Sequence, residues 1–396
     1  MCNGLYEWAS ILPDLFTRGH PVYFVYAQDL NKGDSSSGFF GKPGPKNLDP
    51  LWDRFKKAVP QPPVDFTPMV QDRFGFIVEK SSVIAREMVG RLERFLSKKK
   101  IKALLVSGST DFNFYVVKQY CRKKNIRVLS WQHGAEWFNK RMSQRNDLLN
   151  LVSSDSMLVY GDAVKNGYNS SPLAKEEKCQ LVSVGMPSLK ELRTISPAAP
   201  KKEMRIIWPY GGYYKNWWYS GFTPPRSDTV YYQEQMVILQ NILELTRKYK
   251  QISVTVKLYH SAAFNPPWVN ELANREKIRI VIEKPSFVEL LPQHDLVIVD
   301  SPTTTLLQAV ATQLPVFVLM SVIRWPDEAI SLLRKRAYCA DRAAELMQAL
   351  NRFLENGTPS FEVTNQEFLR QYGAHDGHGK ETALSLTEAI LNDHSI

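Results

Sequence analysis

Between residues 102 and 131 the chain reads KALLVSGS, then an amphipathic stretch over 112–124, then IRVLSW. Two short apolar runs separated by one helix-length stretch make a βαβ unit. Its strands must be parallel, because the intervening helix carries the chain back along the sheet. Strands covered on both faces are apolar throughout rather than alternating, which is the pattern seen here. This one unit argues for a parallel α/β architecture and against hairpin-built sandwiches or helical bundles.

The pattern recurs on both sides. Upstream, 4–18 reads as an amphipathic helix, PVYFVYA (21–27) as a buried strand and 76–98 as a long helix ending in lysines. The loop NKGDSSSGFFGKPGPKN (31–47) is long enough to be functional or unstructured. Downstream, SMLVYG (156–161) and QLVSVG (180–185) are strands, each closed by glycine. TISPAAPKKE (194–203) is rich in proline and small polar residues and reads as an interdomain linker. The alternation then restarts: MRIIWPY, helix 229–249, ISVTVKLY, helix 267–275, IRIVIE, helix 286–292, DLVIVD, helix 304–312 and PVFVL. The tail from 327 reads as mostly helical. The expected fold class is α/β, with two Rossmann-like parallel-sheet domains facing a cleft. Their expected bounds are 1–195 and 204–372, with a linker over 196–203 and a C-terminal helix within 373–396. A domain of this kind normally opens with a strand and a turn, whereas this sequence opens on a helix. The expectation is that the first strand is missing or displaced.

Composition narrows the function classes. At 44% hydrophobic and 23% charged residues, the chain can bury a large core and remain soluble. No apolar run reaches the ~18 residues of a membrane helix, and MCNGLYEWASILPDLF lacks the basic start and long apolar core of a secretory signal. The four cysteines form no CxxC pair, so neither a zinc site nor a disulfide framework is expected, and a cytoplasmic location fits. The net charge of +10 suits nucleic acid, an anionic membrane face or a phosphorylated substrate. Without a helix-turn-helix, zinc-finger or RNA-recognition signature, nucleic acid ranks last.

Ligands of open parallel sheets bind beyond the carboxyl ends of the strands, so the strand ends hold the candidates. His133-Gly134 follows IRVLSWQ directly; the histidine can act as a base or donate to a phosphate, and the glycine permits a sharp turn. Glu136 and, after another strand, Asp111 are further candidate bases. DLVIVD ends at Asp300 and runs into Ser301, Thr303, Thr304 and Thr305, a hydroxyl-rich turn opening a helix. Such a helix start is an anion site by its unpaired N–H groups and dipole, although one hydroxyl could be an ordinary cap. Lys257 and His260 close another strand, where a lysine is costly to bury without an anionic partner. Gly211 and Gly212, within WPYGGYYKNWWYSGF (208–222), suit a tight turn near a ligand, with aromatic rings to stack on a base or sugar. HDGH (375–378) has no evident third ligand, so no metal is expected there.

Taken together, the HG loop, the K-x-x-H strand end and the D-S-x-T-T-T-x-x-Q-A turn resemble bacterial GT-B glycosyltransferases of capsule, lipopolysaccharide and teichoic-acid synthesis. That set includes CDP-glycerol glycerophosphotransferases and CMP-dependent Kdo and sialic acid transferases. The resemblance covers about residues 1–375 through short motifs. It implies an acceptor-side first domain and a nucleotide-sugar-binding second domain. It places His133 near the acceptor or the donor phosphate, turns Lys257 and His260 toward the donor nucleotide, and sets the hydroxyls of Ser301, Thr303, Thr304 and Thr305 on the donor phosphate. The family segment K-x-H-P is altered, with Tyr259 intervening and Ser261 in place of proline. Gln308 stands where many sugar-nucleotide enzymes carry a ribose-binding glutamate, and Gln313-Leu314-Pro315-Val316 lacks the usual glycine. These departures tilt the expectation from UDP toward CMP- or CDP-linked donors. The implied reaction needs no metal or cofactor beyond the nucleotide-sugar co-substrate. The implied acceptor is a glycan or a lipid-linked molecule at the inner membrane face. A sugar-nucleotide 2-epimerase of the same fold and a non-catalytic scaffold are the competing readings.

Overall fold

The computed structural model describes residues 7–23, 67–107, 112–135, 151–197, 203–211, 228–258, 266, 268–272, 277–321, 325–373 and 378–392. The expected strand PVYFVYA falls mainly outside these, as do Asp111, Glu136, Gly212, His260 and the Trp217-Trp218 pair.

The first domain begins with a 3₁₀ turn at Trp8–Ser10 and helix α1, Leu12–Thr17. Helix α2, Thr67–Leu96, begins nine residues before the expected start at 76. Then β1 (Ala103–Ser107), α3 (Phe112–Lys123) and β2 (Arg127–Trp131) form the predicted unit. β3 (Ser156–Val159), α4 (Asp162–Ser170), α5 (Pro172–Glu177) and β4 (Gln180–Ser183) complete a parallel sheet of order β1-β2-β3-β4. Leu104 pairs with Val128 and Met157 with Leu181, so the apolar run of each strand lies beside that of its neighbour.

The second domain contains β5 (Met204–Pro209), α6 (Asp228–Lys248), β6 (Ile252–Lys257), α7 (Val269–Leu272), β7 (Ile278–Val281), α8 (Phe287–Leu290), β8 (Leu296–Val299), α9 (Thr304–Ala311), β9 (Val316–Leu319), α10 (Asp327–Arg334) and β10 (Tyr338–Ala340). Helices α11 (Ala343–Asn356) and α12 (Glu367–Tyr372) follow. The sheet is parallel, in the order β10-β9-β8-β5-β6-β7. The described tail from 327 is mostly helical, as expected, with the short strand β10 within it; three residues are too few to show a period. Strand growth reverses between β5 and β8, so this sheet has a topological switch point.

The last described helix, α13 (Gly379–Asn392), crosses back to the first domain. It packs on α1, Glu388 pairs with Arg18 at 2.7 Å, and Lys102 donates to the Leu391 carbonyl at 2.7 Å. One continuous apolar core joins the domains, with Leu129 and Leu158 from the first and Val297, Leu307 and Phe368 from the second. Residues 187–195, just before the expected linker, are docked rather than free: their 3₁₀ turns pack on α9, and the Gln313 N–H donates to the Ile195 carbonyl at 2.7 Å.

Candidate functional site

The switch point locates a site on physical grounds alone. Diverging connections after β5 and β8 leave a crevice at their carboxyl ends. Gly211 ends the described segment after β5, and Asp300-Ser301 follow β8. Asp300 is fully buried, and its Oδ2 accepts from the Gly211 N–H at 3.3 Å and from Gln235 Nε2 on α6 at 2.7 Å. Burial pushes this carboxyl up to about 6, against the lowering by Gln235, the Gly211 N–H and Trp208. A Cβ on Gly211 would fall 2.1 Å from Tyr231 Oη and 2.5 Å from Ser301 Cβ. Asp300 therefore ties the glycine turn to the hydroxyl turn, a role its position after an apolar run did not reveal.

The hydroxyl turn opens α9. Thr303 is the N-cap residue, yet no side chain caps the helix. The Thr303 N–H turns back to the Ser301 carbonyl at 2.8 Å, and Thr305 Oγ1 makes a long 3.5 Å contact with the same oxygen. Ser301, Thr303, Thr304, Thr305 and Gln308 are all partly exposed. Ordinary capping would use a hydroxyl on an N–H of the first turn; here the N-cap side chain makes no such bond.

From the other domain, Gly134 comes to meet it. A methyl on Gly134 would stand 3.0 Å from Thr304 Oγ1. Its φ of 64° lies in the left-handed region, which only glycine adopts without strain. Gln132, a buried residue that sequence reasoning passed over, braces this loop: its Nε2 donates to the Gly134 carbonyl at 3.0 Å, and its Oε1 accepts from the Tyr160 N–H at 3.0 Å. His133 is exposed between these two fixed residues. A glutamine closing an apolar strand run was the available signal, because buried amides need partners on both ends.

Behind the loop the Tyr160 hydroxyl donates to Glu7 and lies against the Gly134 backbone. Trp8 packs edge-on to Trp131 with centroids 5.0 Å apart, fixing the Glu7 turn to β2. Glu7 is 6% exposed, and burial raises its carboxyl to about 6. A raised carboxyl favours the folded state only when protonated, so its contribution is complete below the unfolded value and lost as pH climbs through about 6. Above that, the buried charge costs on the order of 2 kcal/mol. Glu7→Gln keeps an acceptor for Tyr160 and removes the charge. It should be more stable than wild type near pH 8 by about that amount and no more stable near pH 4, as read by urea unfolding.

Lys257 behaves differently from the expectation of an amine turned to a ligand. It is 8% exposed, and its Nζ donates to the Ile282 carbonyl and, at 3.2 Å, to the Glu283 carbonyl. Burial lowers its pKa, with Glu283 and Glu289 opposing. The amine thus holds the end of β7, while the Lys257 backbone carbonyl accepts from the Tyr210 N–H at 2.9 Å. The structure brings Gly134, Thr304, Ser301 and Gly211 together across the cleft.

No protein-family model matches the chain, and no curated protein matches it. Solved structures do. A UDP-GlcNAc 2-epimerase from Neisseria meningitidis bound to UDP-GlcNAc is similar with a TM-score of 0.53 and 15% identity, over 77% of this chain and 81% of that one. The S. aureus MnaA–UDP co-structure gives 0.52 and 13%, over 78% and 79%. A further UDP-N-acetylglucosamine 2-epimerase gives 0.54 and 14%, over 98% and 94%. At these identities the likeness shows the fold, two parallel-sheet α/β domains of the GT-B type.

Proposed function

We propose that this protein is a glycosyltransferase that moves a sugar from a nucleotide-activated donor to a glycan or lipid-linked acceptor. The observation that carries this reading is the meeting of Gly134 with Thr304 across two parallel sheets. It sets a histidine-bearing loop of one domain against an uncapped helix start of the other. In the proposed reaction the acceptor oxygen bonds to the anomeric carbon while the bond from that carbon to the donor phosphate breaks. His133, or the candidate carboxylates Asp111 and Glu136, takes the acceptor's proton. The departing phosphate takes the bonding pair and is met by the N-terminus of α9, with Ser301, Thr303 and Thr304. That helix start supplies positive potential without a divalent cation, so binding should persist without one.

CMP- or CDP-linked sugars are the favoured donors on the motif resemblance, with capsule or lipopolysaccharide chemistry as the setting; Gln308, which cannot match a charged glutamate as acceptor for two ribose hydroxyls, bears on ribose binding of any of these nucleotides. Calorimetry with CMP, CDP, UMP and UDP, with and without magnesium, tests the preference. One nucleotide should bind selectively, and Thr303→Ala/Thr304→Ala should weaken it about tenfold with little change in melting temperature. Binding unchanged in that variant would move the donor site away from α9.

The solved neighbours favour a second reading. Proteins described as 2-epimerases share this architecture, and one is bound to UDP-GlcNAc. Interconversion of UDP-GlcNAc with its C2 epimer, without acceptor, would select epimerisation over transfer.

A further inference from the structure

We propose, resting on the donor site proposed at α9, that the backbone N–H of Ala135 donates from the first domain to the same donor phosphate, and that Gln132 is the positioning residue that aims it.

The peptide plane sets the direction. In a trans peptide the carbonyl and the following N–H point to opposite sides of the chain, and the Gly134–Ala135 bond is trans. The Gly134 carbonyl accepts from Nε2 of the buried Gln132 at 3.0 Å, and the other end of that amide accepts from the Tyr160 N–H at 3.0 Å. The carbonyl is therefore turned into the first domain, where the fully buried Tyr160 side chain also lies against the Gly134 backbone. The Ala135 N–H, in the same plane, is turned out of that domain. On the outer side of the loop stands α9: a Cβ on Gly134 would be 3.0 Å from Thr304 Oγ1. The Ala135 nitrogen is bonded to the carbonyl carbon of this glycine, so it lies at the same seam.

The donor is also unspent. Ala135 is fully buried, yet no group among the described residues accepts from its N–H. Buried backbone N–H groups nearly always have a partner, because an unpaired one costs about as much as a lost hydrogen bond. The polar groups behind the loop are already committed: both ends of the Gln132 amide are bonded, and the Tyr160 hydroxyl donates to Glu7. An acceptor carried by a ligand would complete the set. Beside an uncapped helix start, the ligand oxygen that fits is an anionic one. A phosphate next to the Gly134–Thr304 contact would then be held from both sheets, and the first domain would contribute to nucleotide affinity rather than serve the acceptor alone.

Two variants and one spectrum test this. Replacing Ala135 by lactic acid turns the amide into an ester, which removes the N–H and keeps the side chain. In calorimetry with CMP, CDP, UMP and UDP, the nucleotide that wild type binds should bind the ester at least about tenfold more weakly. Gln132→Glu keeps an acceptor for the Tyr160 N–H but sets an oxygen against the Gly134 carbonyl, so the peptide plane should turn and affinity should fall similarly. Labelling with carbonyl-13C glycine and 15N alanine restricts the amide signals to the two Gly-Ala pairs, 134–135 and 373–374. One of them, the signal missing from the ester, should move downfield when the nucleotide is added to wild type and stay in place in Gln132→Glu. Neither signal moving in wild type overturns the Ala135 assignment. Full affinity in the ester, alongside weakened binding in Thr303→Ala/Thr304→Ala, also overturns it and leaves the α9 site standing. An Ala135 signal that still moves in Gln132→Glu, with full affinity, removes Gln132 from the positioning role. No nucleotide binding by wild type, or binding indifferent to the threonine pair, overturns the α9 site and this donor with it.

Discussion

Gly211→Ala is expected to destabilise the protein by about 3 kcal/mol and to abolish nucleotide binding. Overpacking a fixed site costs this much because the neighbours cannot all rotate away. Of the atoms a Cβ would meet, Tyr231 Oη at 2.1 Å is the end of a side chain and can yield. Ser301 Cβ at 2.5 Å cannot, since it is bonded to the backbone that follows β8. Relief requires the ends of β5 and β8 to part, and that breaks the 3.3 Å hydrogen bond from the Gly211 N–H to Asp300. An unpaired polar group at a fully buried carboxylate adds to the cost. Chemical denaturation reads the first effect and calorimetry the second. A variant as stable as wild type would show that the crevice is wider than described.

Gly379→Ala is expected to have a still larger structural effect, above about 3 kcal/mol, and to release α13. Its Cβ would stand 1.3 Å from the Val184 carbonyl oxygen and 2.5 Å from the carbon, so only movement of the helix away from the strand end admits it. The contacts left to hold α13 are weaker. The Arg18–Glu388 pair has an arginine side chain 52% exposed, and exposed pairs contribute little. Ala383, Leu384 and Thr387 are buried and would lose their partners. Limited proteolysis should cut the variant ahead of 379 far faster than wild type. Equal cleavage rates would mean that α13 is not seated as described. Gly161→Ala probes a different contact, that of the first domain with α12, because its Cβ would lie 2.2 Å from the Gln371 carbonyl oxygen.

The apolar runs made most strands legible. IRVLSW and DLVIVD are buried along nearly their whole lengths, which is what a strand covered on both faces requires. Strand order was not legible. Gly211 and Asp300 are 89 positions apart and meet because β5 pairs with β8 rather than with a sequence neighbour. The hydroxyl turn could be picked out as a motif, but not that its hydroxyls leave the helix uncapped. The amine of Lys257 was read as a ligand group because burial demands a partner; the partners are backbone carbonyls 25 and 26 residues away on the neighbouring strand's exit. Glu7 and Gln132 escaped notice because a lone polar residue beside an apolar run looks like a boundary. Their burial comes from Trp8 on Trp131 and from the pairing of β2 with β3.

The return of α13 to the first domain also sets a schedule for synthesis. β4 ends at Ser183, and α13 begins at Gly379, roughly 200 residues later. At ~5–20 residues per second a ribosome takes about 10 to 40 s to cover that interval. Throughout it the first sheet has emerged while the surface of Val184 and α1 that α13 covers is bare. The second domain, encoded without interruption from β5 to α12, can close during the same interval. The domain made first is thus finished last, so a chain arrested before 379 would present a complete second domain beside a first domain still open to chaperones and proteases.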